Sequence, residues 1–571
     1  MAFTPSNIQF RPTPPTGSNS KTDYDAVVIG AGMAGLYMLH SLREMGLTAR
    51  VYETGSGVGG TWFWNRYPGA RCDSESFYYC YTFDEELEQE WNYSARYPGQ
   101  SEILSYLEHV ADRYDLRRDI VFNTKILGAH YDEAENVWRL TTDTGEAVTA
   151  TYLISAVGCL SAANVPDIPG LSKFKGEWYH TGNWPKEPVD FTGKRVAVVG
   201  TGSSGIQSIP ILAEQSGHLT VFQRTAQFSI PARNRPLEPE EVRRVKENYL
   251  AVHRRARYTN VGFDSQLRDV SALEVSPEEA ARQFQAEWDE GGFKMIFAGY
   301  KDIITDIDAN TLAADFIRSK IREVVKDPET AEKLIPRGYP FGTKRPVIDT
   351  NYFETYNRDN VDLVDIKASP IQEITETGIR TAESDYELDV IIFATGFDAN
   401  TGSLNKIDIR GRSGAKLSEL WADGPRAYLG LSSHGFPNMF MITGPGSPAV
   451  FSNMPMSIEQ HVEWIQNALW YMREHGYDYL EAETEAETRW VEHVAGIAEN
   501  TLFPLADSWY MGSNIPGKPR MLIPFASGVG EYRELCVDIA AKGYPGFIKG
   551  EINESHVNGS TGKKTSAPAL V

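Results

Sequence analysis

Two glycine-rich turns have the spacing of dinucleotide-binding motifs. They lie in VVIGAGMAGL and VVGTGSSGIQ, and both match G-x-G-x-x-G. Each follows an apolar run typical of a strand and precedes a segment with helical spacing, which is the context the motif requires. Such a turn lets a pyrophosphate approach the free N–H groups that begin the helix. The residues assigned to the turns are Gly30, Gly32 and Gly35 in the first, and Gly200, Gly202, Ser203, Ser204 and Gly205 in the second.

The residues that end the next strand distinguish the two turns. Glu53 ends that strand in the first unit, where a carboxylate binds ribose hydroxyls and repels a 2′-phosphate. The equivalent position in the second unit is Gln223, and Arg224 follows it. An arginine there can hold the 2′-phosphate of NADPH through charge-assisted hydrogen bonds. The first turn therefore predicts FAD and the second NADPH, a pair that implies hydride transfer from NADPH to the flavin.

The cysteines limit what the reduced flavin could do next. A disulfide reductase needs a dithiol beside the flavin, and no C-x-x-C pair occurs in the chain. The cysteines are also far apart in the sequence, which argues against a zinc site, so we expect no metal. Oxygen is then the obvious acceptor of the electrons. The cysteines are Cys72, Cys80, Cys159 and Cys536.

The composition is that of a large globular protein with an acidic surface. Of 571 residues, 41% are hydrophobic and 23% charged, and the formal net charge is −22. Such a charge disfavours nucleic acid and anionic membranes as partners. No apolar run reaches the roughly 20 residues that span a bilayer, and the start lacks the order of a secretion signal. We expect a cytoplasmic protein that is a monomer or a weak homo-oligomer.

The order of predicted elements divides the chain into interleaved parts. We expect an α/β fold with two Rossmann-like dinucleotide-binding domains, for FAD and NADP, and a helical insertion in the NADP domain. The simplest interpretation of the insertion is a solvated helical lid without chemistry of its own. The predicted boundaries are 1–22 for a disordered leader, 23–165 with 395–550 for the FAD domain, 166–236 with 336–394 for the NADP domain and its linkers, 237–335 for the insertion, and 551–571 for a disordered tail.

A segment between the two turns, FKGEWYHTGNWP, matches F-x-G-x-x-x-H-x-x-x-W-P. With both turns it makes the chain resemble the type I Baeyer–Villiger monooxygenases, in the branch of the phenylacetone, steroid and cyclohexanone monooxygenases. The segments GSGVGGTWFWNRYPGARCDSES, GTKRPVIDTNYFETYNRDNV, FATGFDA and SWYMGSNIPGKP extend the resemblance over most of the chain. The residues of this fingerprint are Phe174, Gly176, His180, Trp184 and Pro185.

The resemblance implies a reaction. The flavin, reduced by NADPH, would react with O2 to give a C4a-peroxyflavin, which would insert one oxygen atom next to the carbonyl of a small-molecule ketone to give an ester or lactone. Arg345 would be the permanent cation that stabilises the peroxide, because a guanidinium does not easily lose its proton. Asp73 would position that guanidinium.

The resemblance also implies roles for cofactor-binding residues. Trp62 and Asp73 would lie on the FAD side of the site. Lys344 would join Arg224 at the NADP phosphate, and Trp509 would contact the nicotinamide ribose. The loop from Thr443 to Asn453 is expected near the flavin. His180 would couple NADP binding to domain motion through an orienting hydrogen bond rather than by acid–base catalysis.

Two other interpretations stay open. An N-hydroxylating or sulfoxidising flavin monooxygenase would share both glycine turns, although the Trp184–Pro185 ending and the KRP and ARCD segments argue against it. A non-catalytic sensor would keep FAD but would barely turn over NADPH. Arg345 and Asp73 together argue against the sensor.

Overall fold

A computed structural model describes residues 22–551 of the chain. The leader predicted at 1–22 and the tail predicted at 551–571 lie outside the described residues, apart from residues 22 and 551 themselves. Within the described range, no helix combines the length and the apolar character needed to cross a membrane.

The chain up to residue 165 forms a βαβ unit followed by an antiparallel meander. The apolar run at 26–29 is a buried strand, and the glycine turn after it leads into a helix that is buried along most of its length. The elements are β1 (Tyr24–Ile29), α1 (Met33–Glu44), β2 (Ala49–Tyr52), α2 (Thr61–Trp64), α3 (Glu85–Glu90), α4 (Gln100–Arg113), β3 (Ile120–Val121), β4 (Ile126–Asp132), β5 (Val137–Thr142) and β6 (Ala147–Ser155).

A second βαβ unit, a run of helices and the return of the chain to a sheet follow between residues 166 and 394. The elements are β7 (Glu177–His180), β8 (Arg195–Val199), α5 (Ser203–Gln215), β9 (His218–Gln223), β10 (Ser229–Pro231), α6 (Pro239–Lys246), α7 (Tyr249–Ala256), α8 (Pro277–Glu290), α9 (Lys294–Phe297), α10 (Ile307–Val324), α11 (Pro328–Leu334), β11 (Val347–Asp349), α12 (Tyr352–Thr355), β12 (Val361–Asp365), β13 (Ile371–Thr375), β14 (Gly378–Thr381), β15 (Asp385–Glu387) and β16 (Val390–Phe393).

Helices make up most of the regular structure in the remaining described residues. Their elements are α13 (Gly402–Asn405), β17 (Asp408–Arg410), α14 (Leu417–Leu420), β18 (Met439–Met441), α15 (Met454–His475), β19 (Tyr479–Ala482), α16 (Thr484–Glu499), α17 (Val529–Ala541) and β20 (Phe547–Gly550). Single 3₁₀ turns at Ala449–Phe451 and Trp509–Met511 interrupt the loops of this part.

The first sheet is built from both ends of the described chain. Its strand order is β17-β4-β5-β6-β1-β2-β3, and β18 also pairs with β6. One edge of β6 is divided, because residues 147–150 pair with β5 in antiparallel orientation and 153–155 pair with β18 in parallel. The carboxyl ends of β1, β6 and β18 therefore meet at one edge of the sheet. Loops from distant parts of the sequence come together there.

The second sheet has the order β12-β9-β8-β16-β7, and every pair in it is parallel. A parallel sheet covered on both faces needs nearly continuous apolar strands. The strands β8 and β16 meet that need, since residues 196–199 and 390–393 are buried. The expected α/β class, with two Rossmann-like sheets and a helical insertion, is confirmed.

The insertion packs against both parts of the molecule. Phe284 and Ile317, from α8 and α10, lie in the apolar core beneath the second sheet. Tyr249 of α7 lies instead in the core of the first part, and Nε2 of His253 donates to the carbonyl of Phe77 at 3.1 Å. The insertion thus connects the two parts through its own packing.

Replacing Gly205, the last glycine of the second turn, by alanine should destabilise the fold, whereas Gly202 should tolerate alanine. A Cβ on Gly205 would lie 2.2 Å from the carbonyl oxygen of Gly200, so α5 must move away from the sheet in the Gly205→Ala variant. A Cβ on Gly202 would meet no atom within 4 Å. We expect Gly205→Ala to cost about 1–3 kcal/mol of stability, as for other overpacked sites. Thermal unfolding of the two variants and the parent tests this, and equal midpoints for both variants would contradict it.

Candidate active site

One cavity of about 1130 Å³ is lined by residues of both glycine turns. This volume exceeds the roughly 300–1,000 Å³ of ordinary ligand pockets, which suits ligands as large as two dinucleotides. Gly35 and Gly205 lie behind the wall, where α1 and α5 pack against their sheets. The predicted residues on the wall are Gly30, Gly32, Glu53, Trp62, Asp73, Gly200, Gly202, Ser203, Ser204, Arg224, Lys344, Arg345 and Trp509.

The two turns repeat one backbone geometry. Gly30 and Gly200 have φ values of 103° and 110°, a left-handed conformation that favours glycine. A Cβ at Gly30 would lie 2.6 Å from the carbonyl oxygen of Ala156, and one at Gly200 would lie 2.5 Å from that of Ala394. Beyond each turn, the first residues of the helix face the cavity with N–H groups that the helix leaves free. Both turns are therefore suited to bind a pyrophosphate.

The carboxylate of Glu53 is held in place by the backbone around the first turn. One oxygen accepts the N–H of Ala31 at 2.8 Å and the other accepts that of Gly55 at 2.6 Å. Burial raises the pKa of this carboxyl, and the two backbone hydrogen bonds oppose that effect. Each oxygen keeps a lone pair that a ribose hydroxyl could use. The residue fits the ribose of a dinucleotide in the first turn.

Positive charge concentrates on the cavity wall of this acidic protein. Several cationic side chains there have no carboxylate within 4.0 Å among residues 22–551, so their charges are available to an anion. The pKa of Lys344 is lowered by burial and by the neighbouring Arg224, as expected for a cation without a carboxylate partner. These unpaired cations are Arg71, Lys125, Arg224, Lys344 and Lys406. The charge of the wall fits ligands with several phosphates.

Arg345 is a cation of a different kind, because it is paired and oriented. Its Nε and Nη2 lie 2.8 and 2.7 Å from one oxygen of Asp73, and Nη1 donates to the carbonyl of Val450 at 2.8 Å. Burial opposes its charge, yet Asp73 and the hydroxyl of Tyr510 raise the pKa of the guanidinium. A quarter of the side chain remains exposed. The site therefore holds a permanent cation with a fixed direction.

The insertion also reaches this guanidinium. The ring of Phe293, between α8 and α9, lies 5.6 Å from the central carbon of the Arg345 guanidinium. Phe293 belongs to a small buried cluster with Tyr97, Ala232 and Ile348. The interpretation of the insertion as a lid without chemistry was therefore incomplete, because one of its rings contacts the cation at the site.

The loop predicted at Thr443–Asn453 lies on the cavity wall through Thr443, Val450 and Ser452. Thr443 and Ala449 have φ values of 57° and 41°, which side chains rarely adopt. The Thr443 N–H donates to Nδ1 of the buried His461 at 2.8 Å, which holds this conformation. Strain of this kind is common at functional sites. Here it directs the Val450 carbonyl to Arg345.

Trp509 lies on the wall in a segment that is tied to another part of the chain. The amide of Asn514 donates to the carbonyl of Phe397 at 2.7 Å, and Nζ of Lys518 lies 2.7 Å from a carboxylate oxygen of Asp398. These contacts join SWYMGSNIPGKP to FATGFDA. The two segments were recognised separately in the sequence, and the structure brings them together.

The fingerprint residues lie beside the cavity and not on its wall. His180 ends β7, where its Nδ1 accepts the N–H of Gly182 at 2.9 Å and its Nε2 lies 3.3 Å from the hydroxyl of Thr395. Burial lowers the pKa of His180, which keeps the imidazole neutral near pH 7. The backbone N–H of Trp184 donates to the carbonyl of Trp64, which connects the two parts of the chain. Such contacts suit orientation better than acid–base chemistry.

The other fingerprint residues are structural in their surroundings. Phe174 packs beside the apolar cluster on the outer face of the second sheet. A Cβ on Gly176 would lie 2.4 Å from the carbonyl oxygen of Asp389, so only glycine fits there. Pro185 is half-buried after the Trp184 ring. In residues 22–551, no group of His, Cys, Asp and Glu side chains is arranged to hold a metal ion.

Some residues of the site gave no signal in the sequence. Tyr510, Phe293 and the carbonyl of Val450 all contact Arg345, and His461 holds the loop beside it. Tyr510 follows Trp509 in a segment that was already singled out, so it was within reach. The other contacts depend on how distant segments pack, and no local pattern marks them.

Known proteins resemble the chain over nearly its whole length. Residues 27–342 match the family described as pyridine nucleotide-disulphide oxidoreductase. A Baeyer–Villiger monooxygenase of Pseudooceanicola batsensis is 47% identical over 546 residues, covering 95% of this chain and 98% of the relative. The phenazine N-monooxygenase PhzNO1 of Lysobacter antibioticus is 46% identical over 533 residues, covering 93% and 98%.

Solved structures agree with these relatives. Oxidised steroid monooxygenase bound to NADP superposes with a TM-score of 0.89 at 51% identity, covering 92% of this chain and 99% of that one. OTEMO in complex with FAD and NADP superposes with a TM-score of 0.90 at 42% identity, with the same coverage. The chain belongs to the Baeyer–Villiger monooxygenases, within the pyridine nucleotide-disulphide oxidoreductase family.

Proposed function

We propose that the protein is an FAD-dependent, NADPH-consuming monooxygenase that inserts one oxygen atom of O2 next to a ketone carbonyl and forms an ester or lactone. The observation that carries this proposal is the Arg345–Asp73 pair on the wall of a cavity that both glycine turns share. FAD, when bound, takes hydride from NADPH and supplies the reduced flavin with which O2 reacts. The substrate is a small molecule that enters the same cavity.

The chain's own residues divide the cavity between the two cofactors. Gly30, Gly32 and Glu53 bind the FAD pyrophosphate and ribose. Gly202 and the first turn of α5 bind the NADP pyrophosphate, and Arg224 with Lys344 binds the 2′-phosphate. Lys344 is suited to bind this phosphate because burial and the charge of Arg224 both disfavour its ammonium form, and a bound anion would stabilise that form. Trp509, on the same wall, would hold the nicotinamide ribose.

Arg345 stabilises the negative charge of the reaction. Its guanidinium stays protonated because its pKa is raised, so it can face an oxygen anion throughout the cycle. Asp73 and the carbonyl of Val450 fix its plane while leaving N–H groups free. A preorganised donor of this kind lowers the energy of the anionic oxygen that attacks the ketone and of the tetrahedral oxygen that follows.

Apolar side chains on the same wall keep water away from the reacting atoms. Trp62, Val450, Met454 and Ile458 all line the cavity. Exclusion of water protects a reactive oxygen species from release as hydrogen peroxide. It also strengthens the attraction between Arg345 and the anion.

Oxygen transfer to a ring nitrogen is a second candidate function. The identity with a phenazine N-monooxygenase, at 46%, is as high as that with relatives named for ketone oxidation. Such a reaction would use the same two cofactors.

Other statements remain predictions from the sequence. They are the domain boundaries, the cytoplasmic location, the absence of nucleic acid and membrane partners, and the monomeric or weakly oligomeric state.

The product decides between these functions and the sensor interpretation. Purified yellow protein should be given NADPH, isotopically heavy O2 and a panel of linear, cyclic and bulky ketones together with phenazines. We expect esters or lactones that carry one heavy oxygen atom. A heavy N-oxide without any ester would favour the second candidate. Failure to turn over NADPH beyond one reduction of the flavin would favour the sensor.

Removing the Arg345 guanidinium should abolish oxygen transfer while leaving FAD bound. Loss of one anion-stabilising group costs about a hundred- to a thousandfold in kcat, so we expect Arg345→Ala to form ester at least about a hundred times more slowly. The matched control is Arg282→Ala, on the exposed face of α8. Ester yield, hydrogen peroxide yield and flavin absorbance are measured together. Normal ester yield from Arg345→Ala would rule out the mechanism.

Removing Arg224 should change cofactor preference. A charge-assisted hydrogen bond contributes about 1.5–3 kcal/mol, so Arg224→Ala should raise the KM for NADPH by about ten- to a hundredfold and leave that for NADH nearly unchanged. Arg243→Ala, on the solvent face of α6, serves as the control. Steady-state rates with both nucleotides measure the effect. Equal changes for NADPH and NADH would refute the assignment of Arg224.

A further inference from the structure

We infer that Arg71 binds the pyrophosphate of NADP beside the first turn of α5, as a cation that the FAD-binding part of the chain contributes. The inference deepens the proposed function and rests on it, because it requires NADP in the second glycine turn. It adds a cofactor-binding residue that the sequence motifs did not mark.

The backbone before Arg71 lies directly against α5. The hydroxyl of Tyr67 donates to Oε1 of Gln207 at 2.8 Å, and Nε2 of Gln207 donates to the carbonyl of Arg71 at 3.1 Å. A Cβ on Gly69 would lie 2.2 Å from the carbonyl oxygen of Gln207, so this approach requires glycine. Gln207 stands one turn beyond Ser203, the first residue of α5. Arg71 therefore begins about one helical turn from the expected pyrophosphate position.

The guanidinium of Arg71 has more N–H donors than hydrogen-bond acceptors in the protein. Its Nη1 donates to the carbonyl of Tyr97 at 2.6 Å, and no carboxylate within the described part of the chain lies within 4.0 Å of the guanidinium. A guanidinium has five N–H donors, so several have no protein acceptor. Burial lowers the pKa of Arg71, and the distant Glu102 offsets this only in part. A phosphate would satisfy these donors with a forked pair of hydrogen bonds.

The surroundings of Arg71 favour the NADP pyrophosphate over other phosphates. Both turns line the cavity, but the loop of Arg71 is bound to α5, the helix of the second turn, through Gln207. The 2′-phosphate has its own cations at the end of β9, where Arg224 lowers the pKa of Lys344. The carboxylate nearest in sequence, Asp73, is engaged by Arg345. Arg71 is therefore available to bind the pyrophosphate, which joins the two halves of NADP.

Equilibrium binding separates the two phosphates, because NADP⁺ and NAD⁺ share the pyrophosphate and differ only in the 2′-phosphate. Each nucleotide is titrated calorimetrically into oxidised, FAD-loaded parent, Arg71→Ala, Arg71→Lys and Arg224→Ala proteins. We expect Arg71→Ala to weaken both nucleotides by a similar factor of about ten or more. Arg71→Lys should restore part of the affinity for both. Arg224→Ala should weaken NADP⁺ alone.

Other outcomes overturn the inference in distinguishable ways. Parent-like affinity of Arg71→Ala for both nucleotides would show that Arg71 only holds the loop through Tyr97, and a lower melting temperature with that affinity would show the same. Selective loss of NADP⁺ would make Arg71 a ligand of the 2′-phosphate. A parent protein that binds no NADP⁺ would refute the proposed function and the inference with it. If Arg71→Ala does not fold, Arg71→Lys and Arg71→Gln replace it, and parent-like affinity in both would be equally decisive.

Discussion

The ion pair between Asp73 and Arg345 is the constraint on which the site depends. It joins residues 272 positions apart, one after the first glycine turn and one in the part that carries the second. A partly buried ion pair is favourable only when its geometry is good and its remaining hydrogen bonds are satisfied. Here two nitrogens meet one carboxylate oxygen and a third nitrogen meets the carbonyl of Val450. Forming the pair therefore requires both Rossmann-like parts and the loop after β18 to be in place.

The division of β6 explains how these segments reach one another. One half of its edge pairs with β5 and the other half with β18, so the sheet begun near residue 24 is completed near residue 441. The loop that follows β18 carries strained residues, and His461 holds one of them through a hydrogen bond. Packing elsewhere in the fold thus maintains a backbone that is locally unfavourable but places an acceptor against Arg345.

Unpaired cations line the cavity of a protein whose overall charge is −22. Most arginines outside the cavity are paired with carboxylates, whereas Arg71, Arg224 and Lys344 face the cavity without such a partner in the described range. Unpaired, partly buried cations cost free energy, and the phosphates of a dinucleotide remove that cost. Three parts of the chain contribute side chains here: Arg71 and Arg224 line the cavity, and Phe293 of the insertion contacts Arg345.

Local patterns in the sequence were sufficient for the fold class, both glycine turns and the contrast between Glu53 and Arg224. Each depends on a backbone conformation or a strand end that neighbouring residues determine, and the first and last glycines of each G-x-G-x-x-G motif stand where a Cβ would clash with a backbone carbonyl. The pairing of Arg345 with Asp73 was expected from family resemblance and not from spacing. The contacts made by Arg71, Phe293, Tyr510 and the carbonyl of Val450 were decided by tertiary structure alone. Their importance arises from contacts between segments that are far apart in the chain, and such contacts leave no periodic or local signal.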